Sequence, residues 1–316
     1  MRIRHDIHTH THLSSCSGDR EATPENFIRK ASELGHTAFG FSNHLWDETV
    51  DGVSSFYKKQ GFTHILTEKE KIFSLDNCGM KILFGAEVEY CGKSDTLALN
   101  SERAHLLDYV LVPHTHTHME GFVIPQVDKV TEFKEKFSTQ LLEAFPWMDE
   151  KKAQAIAKGM KVADVMAAID YSWEEYDAFV AEFMMSSYEQ LLENPEFIKI
   201  TKTIPTIIAH PFFPCGTAGR IEQEYELIDK TRMRESFIKT AKMGVAFDVN
   251  VNTYRFMNDL EREPLVKVMR LAKECGIKFA FGTDAHSVDT LPSISKGDAI
   301  ADAVGITDDD IFDLVK

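Results

Sequence analysis

Histidines and carboxylates stand at regular places along this chain, and the first of them lie close together near its start. Residues 2–7 have the pattern of a first β-strand, and the segment Asp6-Ile7-His8-Thr9-His10 begins in this strand and continues past its end. Because alternate side chains of a strand point to the same face, His8 and His10 project together. Two neighbouring imidazoles supply neutral nitrogen ligands, so this pair predicts half of a site for a divalent metal ion.

The same arrangement, an apolar strand followed by a possible ligand, recurs along the chain. Strands are predicted over residues 2–7, 37–41, 81–84, 107–112, 204–209, 245–250 and 277–281. Amphipathic helices alternate with these strands, which predicts a parallel sheet with helices outside it. Possible ligands follow the strands at His8, His10, His44, Glu87, one histidine of 114–118, His210, Asp284 and His286. A barrel would bring all these strand ends to one face.

Residues from about 120 to 200 depart from this alternation. Helical patterns rich in charge predominate there, for example over 151–157 and 188–193. We predict one domain over residues 1–316 with a helical insertion at about 120–200. The insertion could be a lid over the site, or it could consist of helices on the outer wall of the barrel.

The potential ligands are too many for a single metal ion. Carboxylates and imidazoles together are the ligands of zinc, manganese or iron sites. We therefore predict two or three divalent ions (Zn, Mn or Fe), with Glu87 or Asp284 as the bridging carboxylate. Such a cluster activates a bound water and holds the attacking and leaving oxygens of a displacement, which predicts hydrolysis and suits phosphate esters.

Five of these segments resemble the ordered motifs of the PHP family, the polymerase and histidinol phosphatase domain. They are residues 6–10, 42–44, 85–87, 208–211 and 283–286. The resemblance runs from the first strand to about His286. It implies an α/β fold, a distorted (β/α)7 TIM-like barrel, with a trinuclear metal site that hydrolyses phosphoesters.

Carried over by position, the resemblance also implies which residues hold each ion. The first metal would be held by His8, His10, Glu87 and Asp284, the second by Glu87, a histidine of 114–118 and His210, and the third by His44 and His286. Of His114, His116 and His118, we expect His116 to be the ligand. Glu87, Asp284 and His210 are the residues that we expect to be catalytic.

The chain departs from the family pattern near two of these motifs. After the first motif, the family usually has another His or Asp, whereas residues 14–19 are Ser-Ser-Cys-Ser-Gly-Asp. Either Cys16 or Asp19 could substitute, or the third metal could be weakly held. Asn43 replaces the Asp that is common before His44, which predicts a change around the ligands rather than in the number of ions.

Two arginines follow predicted strand ends and could bind a substrate phosphate. Arg220 follows the segment 210–216, and Arg255 follows the segment 248–252. A guanidinium group suits bidentate contact with phosphate, although a surface ion pair would explain either arginine as well. Asp248 and Asn250 could orient ligands or a water molecule.

Composition restricts the partners and the location. A net charge of -15 disfavours nucleic acid and anionic membranes as partners. We expect neither a signal peptide nor a membrane span, because no apolar run approaches about 18 residues. Five scattered cysteines without a Cys-x-x-Cys pair predict a reducing, cytoplasmic location. The sequence leaves the oligomeric state open.

The sequence thus predicts a metal-dependent hydrolase of a small phosphorylated molecule, with histidinol phosphate as one candidate. An amidohydrolase would share the His-x-His and the final Asp, but it would leave His286 without a role. The acidic charge disfavours a polymerase-associated role on nucleic acid. The nearly complete ligand set disfavours a barrel that binds metal without catalysis.

Overall fold

A parallel β-sheet forms the centre of the computed structural model, which describes residues 2–169 and 171–316. Its described strands are β1 (His5–Asp6), β2 (Ala38–Phe41), β3 (His44–Leu45), β4 (Lys81–Val88), β5 (Tyr90–Cys91), β6 (Thr96–Leu97), β7 (Tyr109–Pro113), β8 (Thr206–Ala209), β9 (Ala246–Asn250) and β10 (Phe279–Gly282). Seven of them run in the order β1-β2-β4-β7-β8-β9-β10. Strand β3 pairs with β4 beyond the end of β2, and β5 and β6 form a small antiparallel ribbon.

The first and last strands of this order approach each other and nearly close the sheet. The Ile7 amide donates to the carbonyl of Phe281 at 3.1 Å, and the His10 amide donates to the carbonyl of Ala285 at 2.8 Å. The Phe281 amide donates to Nε2 of buried His5 at 2.9 Å. The seven parallel strands therefore form a TIM-like barrel, and the predicted fold is confirmed.

Of the predicted strands, the first and the third differ most in length from the observed ones. Strand β1 covers only His5–Asp6, because the chain then bends and Thr9 pairs with Ala285 in an isolated bridge. Strand β4 continues past residue 84 to Val88, since the small buried residues at 85 and 86 keep it in register with β7. Glu87 therefore lies inside a buried strand rather than in the loop after it.

Eleven described helices accompany the strands. They are α1 (Pro24–Glu33), α2 (Phe62–Ser74), α3 (Asp128–Ala144), α4 (Glu150–Lys158), α5 (Val162–Ile169), α6 (Trp173–Glu193), α7 (Pro195–Ile200), α8 (Ile221–Leu227), α9 (Lys230–Lys242), α10 (Pro264–Glu274) and α11 (Lys296–Val304). The first begins as predicted: the Thr23 hydroxyl accepts from the Asn26 amide at 3.3 Å, and Pro24 takes the first helical position. None of the described helices is both long enough and apolar enough to cross a membrane.

Five of these helices, α3 to α7, lie between β7 and β8, where the sequence predicts a helical insertion. Helix α3 packs on α4 and α5, whereas α6 packs on the barrel helices α8 and α9. The Tyr188 hydroxyl on α6 lies 2.5 Å from the Thr240 hydroxyl on α9. The segment thus contains both a part on the barrel wall and a separate helical group.

The interior of the barrel is filled by Tyr109 of β7. Its hydroxyl donates to the Ile7 carbonyl at 2.6 Å, which links opposite sides of the barrel. The ring lies against Gly40 and Gly85, where an added Cβ would be 2.4 Å from the hydroxyl oxygen and 2.5 Å from ring carbons, respectively. Close packing of this kind leaves no room for an extra methyl group.

We expect Gly85→Ala to lower the free energy of unfolding by about 1–3 kcal/mol, because its Cβ would overlap the Tyr109 ring. Urea denaturation measures this as a lower midpoint at an unchanged slope. The matched control is Gly219→Ala, whose Cβ would meet no atom within 4 Å and should change stability by less than about 0.5 kcal/mol. Equal stability of the two variants would show that Tyr109 does not fill this space.

Candidate metal centre

The predicted ligands form one cluster at the carboxyl ends of the barrel strands. Its members are His8, His10, His44, Glu87, His116, His210, Asp284 and His286. His210 directly follows β8, and Asp284 comes shortly after β10. Both residues have positive φ angles, 29° for His210 and 53° for Asp284. A residue other than glycine in the left-handed region costs about 1–3 kcal/mol, and such residues concentrate at functional sites.

Glu87 lies at the centre of the cluster and is fully enclosed. Its Oε2 atom faces three imidazole nitrogens, namely His8 Nε2 at 3.6 Å, His10 Nε2 at 3.4 Å and His44 Nδ1 at 3.0 Å. Its Oε1 atom faces His116 Nε2 at 3.5 Å and His210 Nε2 at 3.2 Å. The two oxygens of one carboxylate thus point to two different sets of imidazoles, which is the arrangement that a bridging ligand requires.

Asp284 completes the first set of donors. Its Oδ1 atom lies 3.6 Å from His8 Nε2 and 3.1 Å from His10 Nε2. Two ligand atoms of a tetrahedral zinc ion, each about 2.1 Å from the metal, are about 3.4 Å apart. The distances that join the two imidazoles to Asp284 and Glu87 are therefore those of ligands around a common ion.

Several buried atoms of the cluster have no hydrogen-bond partner in the described part of the chain. They are His8 Nε2, His10 Nε2, His44 Nδ1 and Asp284 Oδ1. A buried polar atom without a partner costs about 1–3 kcal/mol, so four in one place call for an explanation. Imidazole nitrogens and carboxylate oxygens are metal ligands, and metal ions would satisfy all four atoms.

The donors fall into three groups, and within each group the ligand atoms lie within 4.8 Å of one another. The groups are His8, His10 and Asp284; His116, His210 and Cys215; and His10, Cys16, His44 and His286. Glu87 faces at least one histidine of each group. This division fits a cluster of two or three ions better than a single site.

Cys16 and Asp19, the two candidates for completing the third group, lie in different surroundings. Cys16 Sγ is 2.9 Å from His286 Nε2, and the His286 ring stacks on His10 at 4.4 Å. Partial burial opposes ionisation of the Cys16 thiol, but hydrogen bonds with His286 and His44 outweigh it and lower its pKa to about 6. The Asp19 carboxylate instead accepts from the Glu21 amide at 2.9 Å in the loop. The structure thus brings the cysteine, and not the aspartate, to the cluster.

The three histidines of residues 114–118 point to different places. His116 faces Glu87, as described above. His114 is buried against Tyr188 and Phe212, and its Nε2 accepts from the Phe212 amide at 3.3 Å. His118 lies beside His116, with 5.4 Å between ring centroids, and borders a cavity. Of the three, His116 has the geometry of a ligand.

Two further carboxylates hold ligand imidazoles from behind. Asp248 Oδ2 is 2.8 Å from His8 Nδ1, and Glu89 Oε2 is 2.7 Å from His116 Nδ1. A proton held on Nδ1 leaves Nε2 free to bind metal. The sequence indicates Asp248 for this role but Glu89 was not predicted, although Glu89 follows Glu87 by two residues and alternation along a strand places both on one face.

Cys215 and Tyr57 are the other neighbours that the sequence did not indicate. Cys215 lies with His116 and His210, and burial raises the pKa of its thiol well above the usual value. The Tyr57 hydroxyl donates to Glu89 Oε2. Cys215 lies in a turn and Tyr57 in a short 3-10 helix, both outside the strands, where spacing in sequence gives no indication of position in space.

Burial and opposite charges act against each other in the cluster. Burial would raise the pKa of Glu87, but the imidazoles of His44 and His8 hold it well below its usual range. Burial would lower the pKa of His8, but the nearby carboxylates, Asp284 first among them, raise it. For His10, burial prevails and lowers the pKa to about 3. Ionised carboxylates and a neutral imidazole are the forms that bind metal.

Neither arginine proposed for phosphate contact is bonded to the cluster in the described part of the chain. Arg220 pairs with Asp177, with Nε 2.5 Å from Oδ1, and lies over the Trp173 ring. Arg255 is exposed, and only its backbone amide is bonded, to Glu263 Oε2 at 2.8 Å. Arg220 therefore makes an ion pair, which the sequence left open as the alternative to phosphate binding. It also lines the cavity next to His118.

Solved structures with the same fold include two histidinol phosphatases. The histidinol phosphate phosphatase HisK of Lactococcus lactis, in complex with zinc, L-histidinol and phosphate, has a TM-score of 0.55 at 13% identity, over 96% of this chain and 94% of that one. The provisionally assigned histidinol phosphatase HisK of Listeria monocytogenes has a TM-score of 0.54 at 14% identity, over 91% and 97%. At these identities the likeness shows the fold.

Sequence comparison gives a family but no individual relative. No curated protein matches the chain significantly. The family model of the PHP domain matches residues 6–196, which is more than half of the chain and includes His8, His10, His44, Glu87 and His116. The chain therefore belongs to the PHP domain family.

Proposed function

We propose that this protein is a metal-dependent phosphatase that hydrolyses a small phosphorylated molecule. The observation that carries the proposal is the position of Glu87, whose two oxygens face two sets of imidazoles. Family membership supports a metal-dependent phosphoesterase, and the zinc and phosphate bound to the Lactococcus protein support the same reaction class. Histidinol phosphate is one candidate substrate, but identities of 13–14% leave the substrate open.

The proposed ligands divide among two or three divalent ions, which we expect to be zinc, manganese or iron. The first ion would be held by His8, His10, Asp284 and Glu87, the second by Glu87, His116 and His210, and the third by His44, His286 and Cys16. When bound, such ions activate water for attack on phosphorus and hold the phosphate oxygens. Glu87, Asp284 and His210 would be the residues closest to this chemistry.

The surrounding residues prepare these ligands before any ion binds. Asp248 and Glu89 fix the ring orientation of His8 and His116, so neither ring must reorganise. The Asp6 carboxylate accepts from the Thr283 hydroxyl at 2.6 Å, next to Asp284. A fixed arrangement of charge is the main means by which enzymes stabilise a transition state.

The amidohydrolase alternative has less support. It gives His286 no role, whereas the ring of His286 stacks on His10 and bonds to Cys16. We also propose that residues 1–316 act as one barrel domain with the helices of about 120–200 inserted, since the family match extends from the barrel into these helices. Five free cysteines support a reducing, cytoplasmic location.

Glu87→Gln should reduce kcat/KM for p-nitrophenyl phosphate by on the order of 10³-fold, because loss of the bridging charge removes several kcal/mol of transition-state stabilisation. His44→Ala should reduce it less, since His44 belongs to the third group alone and bridges no ions. Elemental analysis should show at least one ion fewer in Glu87→Gln. Equal activity losses in the two variants, with unchanged metal content, would contradict the bridging role.

Removal of metal should abolish activity. We expect dialysis against a chelator to give inactive protein, and Mn²⁺, Zn²⁺ or Fe²⁺ to restore turnover. Cys16→Ser should retain part of the activity after reconstitution, because the proposed mechanism uses no cysteine nucleophile. Phosphatase activity that survives complete metal removal, or a trapped covalent phospho-enzyme, would refute this mechanism.

Glu89→Gln tests the support of His116. A neutral amide holds the imidazole less firmly, so metal affinity should fall by about 10–100-fold. Metal titration followed by activity measures the change. The control is Glu102→Gln, an exposed position before β7 that contacts none of the proposed ligands, which should bind metal as the unmodified protein does. If Glu89→Gln binds metal like this control, Glu89 does not orient His116.

A further inference from the structure

A cavity of about 830 Å³ lies next to the metal centre. Thr117 and His118, which follow the proposed ligand His116 in the sequence, line the cavity. Gly216, which follows Cys215, also lines it. The opposite side comes from α3, from the connection between α4 and α5, and from the start of α6. A molecule with one end at the metals could therefore extend into this space beneath the inserted helices.

Lys134 of α3 points to the kind of group that the cavity receives. The residue is 8% exposed and lines the cavity, yet its Nζ atom has one partner in the described part of the chain, Glu120 Oε2 at 3.5 Å. Glu120 also accepts from the Tyr176 hydroxyl at 2.8 Å. A lysine ammonium has three donors, and a buried charge with one long contact lacks compensation. An anion in the cavity would supply it.

Other cations surround the same space. Lys158, Lys161 and Arg220 line it together with Lys134, and Glu120 is the acidic residue among the described lining residues. Arg220 is already paired with Asp177, so the charges that remain are those of the three lysines against Glu120. The ammonium group of neither Lys158 nor Lys161 has a hydrogen-bond or ion-pair partner among the residues that the structure describes. Three lysines against one carboxylate are unusual on a chain of net charge -15, so the charge of the cavity favours an anionic ligand.

Aromatic residues form part of the wall. Phe122, Trp173 and Tyr176 line the cavity, and the Arg220 guanidinium lies 4.7 Å from the centre of the Trp173 ring. Ligand sites typically combine an apolar lining with a few placed polar groups. The combination found here fits a ligand with an apolar or flat body and a charged end.

From these contacts we propose that the substrate is a phosphate monoester whose leaving group carries a second anionic group, a carboxylate or a phosphate, which binds Lys134 in this cavity. This inference rests on the proposed phosphatase function and specifies its substrate class. Lys158 and Lys161 attract the same anion, and the aromatic wall contacts the body between the two charged ends. A phosphate ester with an amine tail, the class that includes histidinol phosphate, would be disfavoured.

Phenyl phosphates with different charged tails test the proposal by kinetics. The series is 4-methylphenyl phosphate and its carboxymethyl, phosphonomethyl and aminomethyl counterparts, each also made with a three-carbon spacer. The methylene group keeps the leaving groups electronically similar. We expect kcat/KM at least about 10-fold higher with an anionic tail than with the amine tail, mainly through KM, as for a hydrogen bond between charged groups. The carboxylate and phosphonate arms identify the preferred anion.

Three variants locate the effect. Lys134→Met with Glu120→Gln removes the buried pair without leaving a lone charge, and Lys161→Ala removes an exposed cation whose loss should not affect folding. Both should reduce the ratio of kcat/KM between anionic and amine tails, the first by about 10-fold. Lys136→Ala, on the exposed face of α3 outside the cavity, should leave this ratio unchanged.

Binding of the leaving groups separates this proposal from the phosphatase assignment. Calorimetric titration with 4-hydroxyphenylacetate and with 4-hydroxybenzylamine, the phenols released from the carboxymethyl and aminomethyl esters, requires no turnover. If the anion binds more tightly than the amine, and this difference is lost in Lys134→Met/Glu120→Gln, the cavity site is supported. If, in addition, no phosphate ester is hydrolysed, only the proposed phosphatase function is refuted. Hydrolysis without any preference for anionic tails, or a preference that persists in both cavity variants, would overturn the inference.

Discussion

The charge of Glu87 imposes the main constraint on this structure. A carboxylate buried inside strand β4 needs compensation, and five imidazoles from four other segments of the chain surround it. A closed parallel barrel brings the residues after β1, β2, β7 and β8 to one carboxylate near the carboxyl end of β4. These groups satisfy one another incompletely, and four buried atoms of the cluster lack hydrogen-bond partners among the described residues.

Local features of the fold serve the same cluster at a cost to stability. His210 and Asp284 adopt left-handed backbone angles that few residues other than glycine tolerate. Asp248 contacts both His8 Nδ1 and the His210 amide, so one buried carboxylate joins two neighbouring ligand loops. The Tyr109 ring meanwhile packs the barrel below the site. Packing below and hydrogen bonds around the cluster together hold the strained turns in place.

The sequence was sufficient for the barrel and for the residues that gather in the cluster, because both follow from periodicity and from the order of strand ends. It was not sufficient where position depends on loop geometry. Cys16 and Asp19 differ by three residues, and only the fold of the loop decides that the thiol meets His286. Arg220 shows the same limit, since its partner Asp177 belongs to the inserted helices. Glu89 could have been found from strand alternation, whereas the buried Lys134 could not.

The central claim is that Glu87 bridges two metal ions, and anomalous X-ray diffraction from crystals of the metal-loaded protein tests it most directly. The account predicts two anomalous peaks about 3.5–4 Å apart, each about 2.0–2.2 Å from a different oxygen of Glu87. One peak should lie beside His8, His10 and Asp284, and the other beside His116 and His210. A single ion, or ions that leave both Glu87 oxygens bonded only to imidazoles, would contradict it.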